Sequence, residues 1–285
     1  MRSLVYDREK KETYEIEQYG GNALKFLYNN ALGRIILKIV ILPVTSKISG
    51  VFNNSKLSKS KIEKFVKTNK IDMSEFENQK YKSFNDFFTR QKSNVEICKD
   101  KKSFISPADS KLLLYKITND LKVKIKDSEY LLKDLVGESD LEEFSNGNCL
   151  VFRLSVDDYH RYCFVDNGSI KSSYSIKGKL HTVSSISKDY KIYKENSRVC
   201  SFLKTENFDE IIMIEVGALL VGKIKNHNIQ KFKKGQEKGY FELGGSTIVI
   251  LTKDNIKIDE DIVQYSNKNI ETKVKYGERI GEAIC

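Results

Sequence analysis

Between residues 22 and 60 the apolar positions recur at helical steps. Leu24, Leu27, Tyr28, Ala31, Ile35, Ile39 and Leu42 follow one another mostly at steps of three and four, which puts them on one face of a helix. Lys25, Arg34 and Lys38 fall off that face or at its border, and Pro43 ends or kinks the helix. Lys47, Lys56, Lys59 and Lys61 extend the positive charge beyond it. Such a segment fits the interface of an anionic bilayer, and equally a packing site on its own protein's core. In SFNDFFTRQ, Ser83 to Gln91, the residues Phe84, Phe87 and Phe88 also stand at helical spacing, a stripe that reads as core packing.

From about Ser103 the pattern changes to strands. LKVKIKD (Leu121 to Asp127), CLVFRLS (Cys149 to Ser155), SIKSSYSI (Ser169 to Ile176), IIMIEV (Ile211 to Val216) and STIVIL (Ser246 to Leu251) alternate or run apolar over strand lengths. Turn signals such as Ser145-Asn146-Gly147 and Asp166-Asn167-Gly168 separate them. Helical signal is sparse here, Leu131 to Val136 being one candidate. The pattern predicts an α+β protein: a helical N-terminal region over 1–95, then a β-rich, mostly antiparallel region over 96–285.

Composition narrows the class. At 285 residues, 40% hydrophobic and 31% charged, the chain suits a folded soluble or peripheral protein. Cys98, Cys149, Cys163, Cys200 and Cys285 are scattered with no CxxC pair, which argues against a disulfide scaffold or zinc ribbon and for a reducing compartment. The net charge of +10 predicts an anionic partner, nucleic acid or an acidic membrane surface. No helix-turn-helix, zinc-finger or RNA-reading pattern accompanies it. MRSLVYDREKKETYEIEQ does not read as a secretory signal. IILKIVILPV, Ile35 to Val44, falls far short of the ~20 residues that span a bilayer, so the chain is expected not to cross a membrane.

Chemistry has few candidates. Of the three histidines, His160 lies in VDDYHRYC, His181 in KLHTVSS, and His227 in KNHN, an exposed turn. A proton shuttle at neutral pH draws on one of these. Asp109, His160, Cys163 and His181 form only a weak metal-ligand pattern, and no GxSxG, HExxH, Walker A or GxGxxG motif appears. FELGGSTIVIL, Phe241 to Leu251, sets two glycines and a serine directly before an apolar strand, which by itself reads as a β-turn.

Several ordered motifs together resemble the phosphatidylserine decarboxylase family in its proenzyme form, from Phe84 onward. They are FNDFFTR (Phe84 to Arg90), SPADSK (Ser106 to Lys111), DYHRY (Asp158 to Tyr162), VGALLVG (Val216 to Gly222), KGQEKGYFELGGST (Lys234 to Thr247) and VKYGERIG (Val274 to Gly281). The resemblance implies self-cleavage between Gly245 and Ser246 into chains 1–245 and 246–285, with Ser246 becoming a pyruvoyl group. It implies a Schiff base from that ketone to the serine amine of phosphatidylserine, loss of CO2, and phosphatidylethanolamine as product. Pyruvoyl is then the covalent cofactor; neither metal nor pyridoxal phosphate is required. Implied partners are the lipid in an anionic membrane, the two processed chains and a second copy in a homodimer, with no nucleic acid. The implied location is peripheral, on the cytoplasmic side of the cell membrane, with residues 22–60 docking.

By the same resemblance, Asp109 is the aspartate of a protease-like cleavage triad, and His160 serves decarboxylation. Cys163 departs from the pattern, since many members carry there the histidine that is the triad base. Three replacements are open: His181 occupies the vacated role, His160 serves both steps, or Cys163 acts as a thiolate. His181 is favoured because imidazole has the right unperturbed pKa. Gly244, where leucine is common, and Ser184-Ser185, where asparagine is usual, are lesser departures. The alternatives are a non-processing relative that binds anionic phospholipid without turnover, and, on charge alone, a basic nucleic-acid-binding module.

Overall fold

Residues 2–17, 21–76, 79–125, 128–137, 140–181, 192–218, 223–242 and 246–284 are described by the computed structural model. Among them, ten strands join in one sheet. Their order is Lys231–Phe232, Gly168–Ile176, Arg198–Thr205, Glu210–Val216, Ser246–Thr252, Asn148–Leu154, Ser110–Lys116, Glu271–Val274, Arg2–Asp7 and Glu12–Glu17. Neighbours are antiparallel except Arg2–Asp7, which runs parallel to Glu271–Val274. The fold is therefore α+β with a mostly antiparallel sheet.

Asn148–Leu154 and Ser246–Thr252 are buried at every position, and Glu210–Val216 at all but its first. Both faces of these strands are covered, which is why their sequences run apolar instead of alternating. Among the described residues there are also a two-stranded sheet, Lys122–Ile125 with Ser128–Leu131, and two three-stranded ones. Ile224–Asn226, Glu237–Phe241 and Arg161–Cys163 form one, and Ile256–Ile258, Arg279–Ala283 and Ser103–Ile105 the other.

The N-terminal region is only partly helical. RSLVYD and ETYEIE form a hairpin that extends the large sheet at its edge. The arginine after its first strand, Arg8, reaches Asp259, Asp261 and Glu278 at 2.7–2.8 Å. The single helical face read over 22–42 is divided among Gly21–Asn29, Ala31–Val40 and, beginning with Pro43, Pro43–Asn54. Asn30 breaks it as a helix cap, its side chain accepting from the N–H groups of Leu32 at 2.9 Å and Gly33 at 3.4 Å. The break resets the helical phase. Tyr28, Leu37 and Ile41 form a small buried cluster, while Ile35 and Ile39, read as part of the same face, are each 61% exposed. The phenylalanine stripe behaves as expected: Phe84, Phe87 and Phe88 pack with Ile71 in a separate cluster.

Candidate active site

Strand register sets the frame. Ser246 lies opposite Leu154, Thr247 opposite both Arg153 and Val216, Lys111 opposite Arg153, and Ser110 opposite Val274. The end of Glu210–Val216, the start of Ser246–Thr252, the end of Asn148–Leu154 and the start of Ser110–Lys116 therefore meet at one end of the sheet. Asp109 immediately precedes that last strand. Ser246 is fully buried, and its Oγ has no hydrogen-bond partner; the same holds for Thr247 Oγ1. A buried hydroxyl without a partner costs free energy that native structures rarely leave uncompensated, so this one marks a place where chemistry or a ligand is expected.

His160 sits on the loop between Asn148–Leu154 and Arg161–Cys163. Its Nδ1 is 2.8 Å from the Asp158 carbonyl. That contact puts the ring proton on Nδ1 and leaves the lone pair on Nε2, which is buried and unpartnered. Burial pushes the imidazole pKa down to about 3; the Asp158 carbonyl opposes the shift and the Arg90 charge adds to it. Phe88 covers the ring, with centroids 4.2 Å apart. The loop is fixed by Asp158, which takes both carboxylate contacts to Lys111 Nζ at 2.7 Å and accepts from the Ser155 N–H at 2.6 Å.

Because its folded pKa lies below the ordinary 6.5, His160 contributes stability that is complete above about pH 6.5 and is lost as the pH falls toward 3. At ~1.4 kcal/mol per unit this amounts to a few kcal/mol. In His160→Gln, denaturant unfolding between pH 7 and pH 4 is expected to lose less stability than the wild type does. Equal losses would show that the imidazole is not held neutral.

Asp109 is held from two sides. The Tyr276 N–H donates to Oδ1 at 2.8 Å, and Lys92 Nζ lies 3.4 Å from Oδ2. Among the described residues it makes no hydrogen bond or ion pair with a histidine. Cys163 lies nearby, its N–H donating to the Pro107 carbonyl at 2.9 Å and its thiol facing the Ser106 carbonyl at 3.9 Å. Burial pushes that thiol up to about 12, so it is neutral at ordinary pH.

His181 reaches the same end of the sheet through Asn196. The His181 N–H donates to Asn196 Oδ1 at 3.0 Å, and Asn196 Nδ2 donates to the carbonyls of His181 at 2.8 Å and Gly217 at 2.7 Å. Gly217 follows Val216, the residue opposite Thr247. On the ring, Nδ1 is 3.3 Å from Tyr28 Oη and Nε2 is 3.7 Å from a Glu195 oxygen. Burial lowers its pKa, with Glu195 opposing. Tyr28 belongs to the first N-terminal helix, and the Leu180 N–H donates to the Ile41 carbonyl at 3.1 Å. The amphipathic helices are thus pinned to the segment that carries His181. His227 is the exposed residue expected, paired with Glu237 at 2.6 Å.

The strand leading toward Gly245 is Glu237–Phe241. Its Phe241 N–H donates to the His160 carbonyl at 2.9 Å, and its Lys238 makes a buried ion pair with Glu215 at 2.9 Å. Asn226 donates to the other Glu215 oxygen and accepts from Tyr162, so no member of this buried network lacks a partner. Gly244, Gly245, Ser184, Ser185, Cys285 and the second half of VGALLVG lie outside the described residues. Among the described residues, no group of three or more His, Cys, Asp or Glu is arranged to hold a metal ion, and Cys98, Cys149 and Cys163 are free thiols. Arg90, Lys92, Asn196 and Tyr276 were not singled out from sequence; for Arg90 the FNDFFTR motif itself was the available signal.

A buried, unpartnered serine hydroxyl heading a central strand, with a histidine and an aspartate at the same sheet end, defines a candidate catalytic site. Comparison with known sequences agrees: the profile of the family described as phosphatidylserine decarboxylase matches residues 84–282. The chain is 56% identical to phosphatidylserine decarboxylase proenzyme 2 of Clostridium acetobutylicum, over 99% of both chains. It is 42% identical to the proenzyme of Clostridium botulinum, over 98% of this chain and 99% of the other, and 40% identical to that of Clostridium tetani, over 99% of both. The chain belongs to the phosphatidylserine decarboxylase family.

Proposed function

We propose that this chain cuts itself between Gly245 and Ser246, converts Ser246 to a pyruvoyl group, and decarboxylates phosphatidylserine to phosphatidylethanolamine. The observation that carries this reading is the buried, unpartnered Ser246 hydroxyl at the sheet end shared with Asp109 and the His160 loop. The hydroxyl attacks the Gly245 carbonyl to give an ester; elimination and hydrolysis then leave the α-keto acyl group on the second chain. Once formed, the pyruvoyl group would supply an electron sink for the pair left on Cα as CO2 departs.

Within this reading His181 takes the Ser246 proton, Asp109 is the triad carboxylate, and His160 manages the proton at Cα after CO2 leaves. Cys163, a neutral thiol, is given no proton-transfer role. A second reading assigns both steps to His160. It is favoured by the unpartnered Nε2 and by the bond from Phe241, close before the cut, to the His160 carbonyl.

The same proposal has the N-terminal helices dock on the membrane that holds the lipid. Leu32, Ile35, Ile39, Ile48, Val51 and Leu57 are exposed apolar side chains among exposed Arg34, Lys38, Lys56, Lys59 and Lys61. Among the described residues no helix is long and apolar enough to cross a membrane. Each isoleucine withdrawn from the interface forfeits about 1–2 kcal/mol. Ile35→Ser/Ile39→Ser is therefore expected to weaken binding to phosphatidylserine vesicles at least ~10-fold while self-cleavage continues. Unchanged vesicle binding would remove this face from the docking surface. The overall reading is tested by adding purified protein to phosphatidylserine vesicles and following phosphatidylethanolamine. Binding without product would favour the non-processing alternative.

A further inference from the structure

Arg90 ends the FNDFFTR motif, just after the short helix Phe84–Phe88. It is 4% exposed, yet Nε and Nη1 have no hydrogen-bond partner. A buried guanidinium is always charged and presents five donors, so it is ordinarily matched by a carboxylate. Here the nearby carboxylates are committed elsewhere: Asp109 to Tyr276 and Lys92, Asp158 to Lys111 and Ser155. What Arg90 has is aromatic, its Cζ standing 5.1 Å from the ring centroids of both Phe76 and Phe87. These rings attract a cation but accept none of its N–H bonds in the plane.

Its position is at the site. The preceding Phe88 covers His160, and Arg161, the residue after His160, donates through Nε to the carbonyls of Thr89 at 2.9 Å and Arg90 at 3.2 Å. The lowering of the His160 pKa by the Arg90 charge reports the same proximity. A stacked, desolvated guanidinium with in-plane donors unused is the arrangement that takes an oxyanion in a two-pronged grip.

Resting on the function proposed above, we propose that Arg90 binds the phosphodiester of the lipid headgroup. The substrate offers two anions, and the chemistry selects between them. The carboxylate loses its charge as CO2 departs, so a guanidinium on it would stabilise the ground state more than the transition state and slow the reaction. The phosphodiester keeps its charge throughout, so a cation there binds substrate and transition state alike and sets affinity without opposing catalysis.

The test uses self-cleaved wild type, Arg90→Gln and Arg90→Lys with a short-chain, soluble phosphatidylserine. Glycerophosphoethanolamine, which has the phosphodiester but no carboxylate, serves as inhibitor. Arg90→Gln is expected to raise KM and the inhibition constant together, each by ~10-fold or more, with kcat within ~3-fold; Arg90→Lys recovers part of the loss. A changed kcat with an unchanged inhibition constant would put the guanidinium on the carboxylate, and unchanged constants throughout would make it structural. Either result overturns the proposal, as does failure of both variants to fold and self-cleave. Wild type that decarboxylates keeps the parent reading intact in each of these cases.

Discussion

Ser246→Ala is expected to remain a single chain and to release no phosphatidylethanolamine above background. The loss is total because the hydroxyl oxygen is both the nucleophile for the cut and the leaving group of the later elimination; no neighbouring atom substitutes for it. The same change is expected to leave the fold intact. Ser246 Oγ has no partner to lose, and removing a buried unsatisfied hydroxyl is neutral or stabilising by about 1 kcal/mol. Denaturant unfolding of Ser246→Ala therefore separates lost chemistry from lost structure. A variant that fails to cleave and also unfolds at a much lower denaturant concentration would count against this account of the site.

The second large effect divides the histidines. His181→Asn is expected to slow self-cleavage ~100-fold or more, the usual contribution of a positioned general base. His160→Asn is expected to cut at near the wild-type rate yet lose ~1,000-fold in decarboxylation. Time courses on gels report the first quantity, and product formation by whatever fraction is cut reports the second. If His160→Asn stays uncut while His181→Asn cleaves normally, the single-histidine reading replaces the one proposed. Cys163→Ala is expected to cleave, since a thiol pushed up to about 12 is not a useful base near neutrality.

The proposed cut after Gly245 is compatible with a stable product. Ser246–Thr252 lies between Asn148–Leu154 and Glu210–Val216, and Glu271–Val274 lies between Ser110–Lys116 and Arg2–Asp7. Arg8 adds ion pairs to Asp259, Asp261 and Glu278, all beyond the cut. Ladder hydrogen bonds and buried side chains on both sides would thus hold the second chain without the peptide bond.

Much of this architecture was legible from sequence where burial is uniform. STIVIL, CLVFRLS and IIMIEV run apolar because both faces of those strands are covered, and they appear where expected. The N-terminal hairpin was not legible, because RSLVYD and ETYEIE carry the mixed charge of an edge and nothing in them announces a partner 266 residues away, as Tyr6 and Thr272 pair across the sheet. The helical face over 22–42 was misread for a local reason: Asn30 is polar, as a solvent-facing position would be, but it acts as a cap and shifts the phase.

At the site, motif resemblance pointed to Ser246, Asp109 and His160, and the residue types gave their chemistry. The supports escaped it. Asn196 and Tyr276 act through contacts that depend on tertiary placement, and Arg90 was absorbed into a phenylalanine stripe whose spacing already had an explanation.

The most direct test of the central claim is the intact mass of the purified wild-type protein. The account predicts two chains, the first ending at Gly245 and the second starting at residue 246 with a blocked N-terminus that reacts with a carbonyl reagent. A single uncut chain of 32.8 kDa, unreactive toward that reagent, would contradict it.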